Sequence, residues 1–262
     1  MTAFITVNGA AIDVKSALQW QLILGNTALI NETVKNAAVV QHASKNGISA
    51  SADELQAFFD EYRYELELEK ADTFNAWMAE NNIDLKTLQA VFEIGVVRNK
   101  LRTTISDTDI AEYFAVNKDA YDVAELYSIT VAEEDMADEL YSQLEEGEES
   151  FQSLAVEHSI DGDTFRQGGF VGEVTRATVT GEIEAAVFAA SPGDLIGPIK
   201  ESDGYTIYMV RNIIRPELDV IKESIRDELF EALIEDIAAA AEVGHPLLGI
   251  VEEIPADDDD DE

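Results

Sequence analysis

The hydrophobic periodicity of this chain changes near residue 123, and this change limits the folds that the chain can adopt. Before that point apolar residues recur every three or four positions, as at Leu29, Val34 and Val40, which is the spacing of an amphipathic helix. From Glu125 to Ala132 apolar residues alternate with others, which indicates a strand. The sequence therefore predicts an all-helical segment followed by a module of mixed helices and strands.

The predicted helical segment covers residues 14–117 and follows a short strand and turn at residues 4–12. Ser51 and Glu54 predict a capping box, in which each side chain accepts a hydrogen bond from the backbone N–H of the other residue. Asp84 is expected to cap a longer helix. Because each helix carries an apolar stripe that needs a neighbour, we expect these helices to pack together.

The second module is predicted to be an α+β domain with a small antiparallel sheet. Its order is strand, two helices, strand, helix and two strands, with a glycine-rich loop from Asp161 to Gly169. A last helix is expected to begin at Pro216 and to return to the helical segment, because it is apolar for five turns. The predicted domains are a helical domain, an α+β domain, the last helix and an acidic disordered tail, at residues 1–118, 119–215, 216–243 and 244–262.

The chain is strongly acidic, with 17 Lys and Arg against 54 Asp and Glu and a formal net charge of −37. Such a charge repels phosphate groups, so we expect neither nucleic acid nor an anionic lipid surface as a partner. The acidity favours solubility, in a salty environment or otherwise, and it also suits a binder of basic or unfolded chains. Neither a membrane span nor a secretion signal is recognisable, so a cytoplasmic location is expected.

Several kinds of catalytic site are excluded or disfavoured by the residues present. The absence of Cys excludes thiol catalysis, disulfides and Cys-ligated metals. His42, His158 and His245 lack metal-ligand spacing, so no metal site is predicted. There is no Gly-x-Ser-x-Gly motif, and the glycines near residue 168 do not match a phosphate-binding loop. A Ser–His–acid triad stays open on composition alone.

Motifs throughout the α+β module resemble those of the parvulin-type (PpiC or rotamase) peptidyl-prolyl isomerases. The matching stretches are Phe151 to Asp161, Gln167 to Glu173, Ala186 to Phe188, Pro192-Gly193, Gly197 to Ile199 and Gly204 to Ile207. The helical segment is similar to the N-terminal domain of SurA-like chaperones, through its opening Val7-Asn8-Gly9, the stretch from Leu29 to Leu55 and the returning last helix.

This resemblance implies a peptidyl-prolyl cis-trans isomerase and folding chaperone that needs no cofactor. Its partners would be unfolded or proline-containing polypeptides. Rotation about an X–Pro bond disrupts amide resonance, a barrier of roughly 18–20 kcal/mol, and a site that binds the twisted form best lowers that barrier. There are two alternatives. One is a binding-only chaperone with a degenerate isomerase site, and the other is an interaction module of a secretion or maturation assembly, with a partner in protein export. SurA-like proteins generally act outside the cytoplasm, which makes an extracytoplasmic location the alternative to a cytoplasmic one.

The resemblance also assigns site residues by position. Asp161 is expected to face the substrate carbonyl, and Tyr127 and Thr206 stand at two positions that are often His in the family. The predicted substrate-binding residues are apolar: Val171, Val179, Ile183 and Phe188. Each assignment has a structural alternative, since the apolar residues would also suit a core, Asp161 would also suit a turn, and Tyr127 and Thr206 could be structural.

Overall fold

The structure is a computed structural model that describes residues 3–179, 181–245 and 247, without the side chain of Glu182. It divides into two compact units, Met1–Ser106 with Arg226–Glu262 and Asp107–Ile225. The divisions predicted from the sequence, after residues 118 and 215, both fall within the second of these units. The predicted acidic tail at residues 244–262 lies almost entirely outside the described residues.

The first unit begins with an antiparallel hairpin and continues as helices. Strands β1 (Ile5–Val7) and β2 (Ala10–Ile12) pair with each other, and the turn between them has positive φ at Asn8 and Gly9, as that residue pair predicts. The helices that follow are α1 (Val14–Ile23), α2 (Ala28–Lys45), α3 (Ala52–Glu65), α4 (Ala71–Glu80) and α5 (Leu85–Thr104).

Helices α3 and α5 start at the residues that the sequence marks as caps. Ser51 Oγ accepts from the Glu54 N–H at 3.3 Å, while Glu54 Oε2 accepts from the Ser51 N–H at 2.8 Å. Asp84 Oδ1 accepts from the Thr87 N–H at 2.7 Å. Helices α3, α4 and α5 then bury aromatic side chains against one another, among them Phe58, Phe59, Tyr62, Phe74, Trp77 and Phe92.

The last helix, α10 (Leu218–Ala239), contributes its residues from Arg226 onward to the first unit. Arg102 Nε donates to Asp227 Oδ1 at 2.5 Å, and the Arg98 guanidinium lies 5.5 Å over the Phe230 ring. Lys35 forms an ion pair with Glu235. The prediction that this helix completes the helical core is confirmed. Among the residues that the structure describes, no helix is long and apolar enough to cross a membrane.

The second unit contains a four-stranded antiparallel sheet in the order β4-β3-β6-β5. Along the chain its elements are α6 (Asp107–Asn117), β3 (Val123–Val131), α7 (Glu134–Glu146), α8 (Phe151–His158), β4 (Phe170–Thr175), α9 (Glu182–Ala189), β5 (Leu195–Glu201) and β6 (Gly204–Ile214). Short 3-10 helices cover Lys118–Tyr121 and Phe165–Gln167. This arrangement confirms the predicted α+β fold.

The two faces of β3 belong to different clusters of side chains. Ile129 and Val131 pack with Leu140 of α7 and Leu154 of α8, whereas Leu126 packs with residues of α9. Side chains alternate across a strand. Ser128 and Thr130, two and four residues after Leu126, therefore lie on the face opposite to α7 and α8. That face carries the candidate site.

Candidate functional site

An open cavity of about 500 Å³ lies in the second unit, over the two central strands of the sheet. Its floor is formed by two pairs of residues that lie opposite each other on β3 and β6. Ser128 on β3 pairs with Tyr208 on β6, and Thr130 on β3 pairs with Thr206 on β6. Its walls come from the loop after α8, from β4 and from the β5–β6 turn. The described wall residues are Ile160, Asp161, Gly162, Thr164, Val171, Glu201, Ser202 and Asp203.

The loop after α8 is fixed on the edge of β3, beyond the last pairing with β4. The Ile160 N–H donates to the Thr130 carbonyl oxygen at 2.8 Å. Ser159 Oγ accepts from the Thr130 N–H at 3.2 Å and from the Asp161 N–H at 3.4 Å. These bonds hold Asp161 at the wall of the cavity, next to the polar floor.

The Asp161 carboxylate is held by its own turn. Its Oδ2 accepts from Thr164 Oγ1 at 2.6 Å, and its Oδ1 accepts from the Asp163 N–H at 3.0 Å. The hydrogen bond from Thr164 and then that from Asp163 lower the pKa of Asp161 below its ordinary value, so the side chain is ionised at neutral pH. Asp161 is therefore both a turn residue and a negatively charged wall of the cavity.

Two hydroxyls meet at the centre of the floor. Thr206 is only 1% exposed, and its Oγ1 lies 3.0 Å from Thr130 Oγ1. A hydroxyl supplies one donor and accepts at its lone pairs, so one proton joins this pair and the second can be donated to a group in the cavity. The predicted site residues Asp161 and Thr206 thus line the same cavity.

Tyr208 and Glu201 form the part of the cavity nearest β5. Tyr208 Oη donates towards both carboxylate oxygens of Glu201, each at 3.0 Å. Burial, followed by the negative charge of Glu201, raises the pKa of the Tyr208 phenol well above its usual range. The phenol consequently stays protonated and keeps the carboxylate in place.

The four predicted substrate-binding residues do not all lie together. Val171 is 41% exposed and lines the cavity beside Asp161. Val179 and Ile183 are half-buried and pack on the core cluster that contains Phe188, which is itself buried. Of the residues that line the cavity, Tyr208 also packs on that cluster. The apolar surface of the cavity itself is formed by Val171 and Ile160.

Tyr127 lies on the opposite face of the sheet from Asp161 and Thr206. Its ring packs against Phe151 at 6.0 Å and Phe170 at 5.2 Å between centroids. The next residue, Ser128, lines the cavity instead, because a shift of one residue along a strand moves a side chain to the other face. The structure does not bring Tyr127 together with the other two predicted catalytic residues.

The sequence reasoning missed several polar residues of the cavity. Ser128 and Thr130 stand at alternate positions of β3, and Thr206 and Tyr208 repeat that pattern on β6. This period of two would have placed all four side chains on one face. Glu201 gave no such local signal, because the hairpin register of β5 with β6 brings it to the cavity.

Gly169 lets the chain approach the floor closely where β4 begins. Its φ is +81°, and a Cβ at this position would lie 2.4 Å from the Ser128 carbonyl oxygen. The Gly169 carbonyl oxygen accepts from the Ser128 N–H at 2.8 Å. A residue with a side chain would be strained here both in its backbone conformation and by this contact.

Residues 128–212 match the family model for the rotamase, or PPIC-type PPIASE, domain. All the described residues that line the cavity fall inside this range. Residues 128–212 of the second unit therefore form a parvulin-type domain, and the predicted resemblance of this module to the parvulins is confirmed.

The chain is similar to proteins called foldase protein PrsA. It is 27% identical over 205 residues to PrsA of Caldanaerobacter subterraneus. The matched region covers 77% of this chain and 61% of that protein. Identity to PrsA of Halalkalibacterium halodurans is 27% over 146 residues, or 53% of this chain and 43% of the relative. The chain thus spans about three fifths of the length of the first of these relatives.

A solved structure of the peptidylprolyl isomerase PrsA from Bacillus cereus has a similar fold. The overlap has a TM-score of 0.50 at 20% identity and covers 94% of this chain and 95% of that one. The likeness covers most of the chain and supports the predicted fold class.

Proposed function

We propose that this chain is a peptidyl-prolyl cis-trans isomerase and folding chaperone, which binds non-native polypeptide and accelerates rotation about X–Pro bonds. The main support is a cavity that lies within the rotamase-matched residues. It offers an apolar wall at Val171 and Ile160, a carboxylate at Asp161 and a floor of hydroxyls. The name of the PrsA relatives, foldase, supports the same function.

In the proposed mechanism Asp161 acts on the carbonyl oxygen of the X–Pro bond. Resonance in the planar amide gives the C–N bond double-bond character and leaves negative charge on that oxygen. The prolyl ring would sit on Val171, with the carbonyl oxygen beside the ionised carboxylate. The carboxylate repels the planar form more than the twisted form, in which resonance is lost, so the barrier to rotation falls.

The hydroxyl pair of Thr130 and Thr206 would act on the prolyl nitrogen. In the planar amide the nitrogen lone pair is delocalised, whereas in the twisted form it can accept a hydrogen bond. The donor that the pair leaves available would therefore bind the twisted form better than the planar one, which is the condition for catalysis. No bond to the substrate is formed, and no cofactor takes part.

The first unit is proposed to bind non-native segments through exposed apolar side chains. Ile23 is 81% exposed, Leu24 76% and Trp20 52%, all on α1 or at its end. Exposed apolar side chains that cluster on one element mark a binding surface. This surface favours a chaperone role even without isomerisation, so a binding-only chaperone is the second candidate function.

A pair of assays separates these functions. Isomerisation of peptides with several different X–Pro bonds should be accelerated by the chain, and aggregation of an unfolding protein should be suppressed. Suppression without acceleration would favour the binding-only chaperone. Loss of both, with one stoichiometric protein recovered in a pull-down, would favour an interaction module of an export or maturation assembly.

The proposed place of action is outside the cytoplasm, as the SurA-like resemblance implies. Fractionation of intact cells that produce the native gene product, with a cytoplasmic marker as reference, tests this. Recovery of the protein with the cytoplasmic marker would support the cytoplasmic location instead.

A further inference from the structure

We infer that the cavity prefers X–Pro segments in which X, the residue before proline, is lysine or arginine. This inference rests on the proposed isomerase function and adds the substrate class of the same site. Three carboxylates line the cavity, from Asp161, Glu201 and Asp203, and none of the described lining residues is basic. A basic side chain of a substrate would supply the opposite charge.

The protein itself does not neutralise these three carboxylates. Within the described residues, no salt bridge joins Asp161, Glu201 or Asp203 to a basic side chain. Lys200 comes next to Glu201 in the chain, but its Nζ lies 5.9 Å over the Tyr205 ring and it does not line the cavity. Elsewhere in this unit basic residues do pair, as Arg176 does with Asp122 and Glu184.

The charges converge on one aromatic side chain. Tyr208 bonds to Glu201, and the negative charge of Asp161 also contributes to raising the pKa of its phenol, so Tyr208 lies within the fields of both carboxylates. A cation beside this ring would be attracted by both charges, and by the ring itself if it sat over the ring face. Neutral and acidic side chains would gain nothing from this arrangement, and an acidic one would be repelled.

The proposed pose sets which substrate residue approaches these charges. Val171 on β4 and Glu201 on β5 belong to opposite edges of the sheet, so their backbones are at least three strand spacings, or about 14 Å, apart. A prolyl ring on Val171 places the carbonyl of X beside Asp161. In this pose the side chain of X extends over the floor towards Tyr208, which bonds to Glu201, and a long basic side chain brings its charge nearer to the carboxylates than a short one does.

The test is a peptide series Ala-X-Pro-Phe with X as Lys, Arg, Leu or Glu, measured at constant low ionic strength because salt weakens such preferences. We expect kcat/KM to be about tenfold higher for Lys than for Leu, and lowest for Glu, as one unit charge acting at partly exposed carboxylates would give. In the double variant Glu201→Gln with Asp203→Asn, the Lys-to-Leu ratio should fall towards one.

The matched control is Glu148→Gln with Glu149→Gln, which removes the same charge from the exposed segment between α7 and α8, away from the lining residues. This control should keep the ratio of the unmodified protein. Equal turnover of all four peptides by the unmodified protein, or an equal fall of the ratio in the control, would overturn the inference and leave the isomerase proposal standing.

A complete lack of turnover would instead contradict the proposed isomerase function. In that case fluorescence anisotropy with the same labelled peptides still tests the preference. Tighter binding of the Lys peptide than of the Glu peptide, reduced in the Glu201→Gln, Asp203→Asn variant, would support it. Equal binding would overturn it.

Discussion

The substitution Asp161→Asn tests the charge that the proposed mechanism places beside the carbonyl oxygen. Asparagine keeps an oxygen that can accept from the Asp163 N–H, a bond of 3.0 Å in the structure, so the turn should persist. Two unit charges 4 Å apart interact by about 4 kcal/mol at the effective dielectric of a protein surface. If about a quarter of a charge leaves the oxygen as the amide twists, the barrier rises by about 1 kcal/mol on substitution, which is about fivefold in rate.

The assay is kcat/KM for an X–Pro peptide at neutral pH, with thermal unfolding of each variant measured in parallel. Asp163→Asn is the matched control. Asp163 lies two residues after Asp161, its side chain is exposed and it does not line the cavity, so the substitution removes the same charge outside the site. The control should keep the rate. A rate for Asp161→Asn within error of the unmodified protein, or the same loss in the control, would refute the electrostatic reasoning.

Acidification provides an independent check on the same group. The pKa of Asp161 is lowered from 3.8 in the folded protein, so the carboxylate stays charged at any pH above that value. The isomerase rate should therefore not vary with this group between about pH 5 and 8, and it should fall only as the pH approaches the lowered pKa. Asp161→Asn should lack that fall, and a rate change centred near neutral pH would assign control to another group.

Three further predictions concern stability. Gly169→Ala should lower the free energy of unfolding by about 3 kcal/mol in urea titration, because φ is +81° and the new Cβ would meet a carbonyl oxygen at 2.4 Å. Arg176→Met should cost about 2 kcal/mol by the same measurement, since Asp122 is 5% exposed and, among the residues that the structure describes, would keep Arg215 alone as an ion-pair partner. Hydrogen bonds from Lys100 and Ser51 lower the pKa of Glu54 to about 2. Glu54→Gln should therefore lower the melting temperature by its largest amount above about pH 4.5, and this difference should disappear as the pH falls to about 2.

Two of the stability predictions, those for Gly169 and Arg176, have a control in the same chain. Gly172→Ala should cost less than Gly169→Ala, because Gly172 has a φ of +99° but nothing within 4 Å of the new Cβ. Lys222→Met removes an exposed pair with Asp107 and should cost under about 1 kcal/mol. An equal loss in either comparison, or a Glu54→Gln effect that persists at pH 2, would contradict the corresponding reasoning.

The elements of the fold that depend on neighbouring residues were predictable from the sequence. The Ser51–Glu54 capping box and the Asn8-Gly9 turn act within a few residues, so their sequence pattern is enough to specify them. The convergence of Asp161 and Thr206 was predictable only through the family motifs, since these residues are far apart in the chain and meet across the sheet.

The parts of the site that could not be predicted depend on register and on long-range packing. Tyr127 and Ser128 are adjacent, and only the face chosen by β3, whose pairing shifts at Leu126, decides which of them reaches the cavity. Val179 and Ile183 are apolar in either case, and an apolar pattern does not distinguish the lining of a cavity from the packing of a core. Glu201 reaches the cavity through the pairing of β5 with β6, so it is recognised as a cavity residue only once that register and the face of the sheet are known.

The most direct test of the central claim is the slow refolding phase of a protein whose folding is limited by prolyl isomerisation. Uncatalysed, this phase lasts tens of seconds at 25 °C. With the chain added in substoichiometric amounts, the rate of the slow phase should rise in proportion to its concentration, and Asp161→Asn should reduce the slope. A slow phase whose rate is unchanged up to equimolar chain would contradict the claim that this cavity twists prolyl bonds.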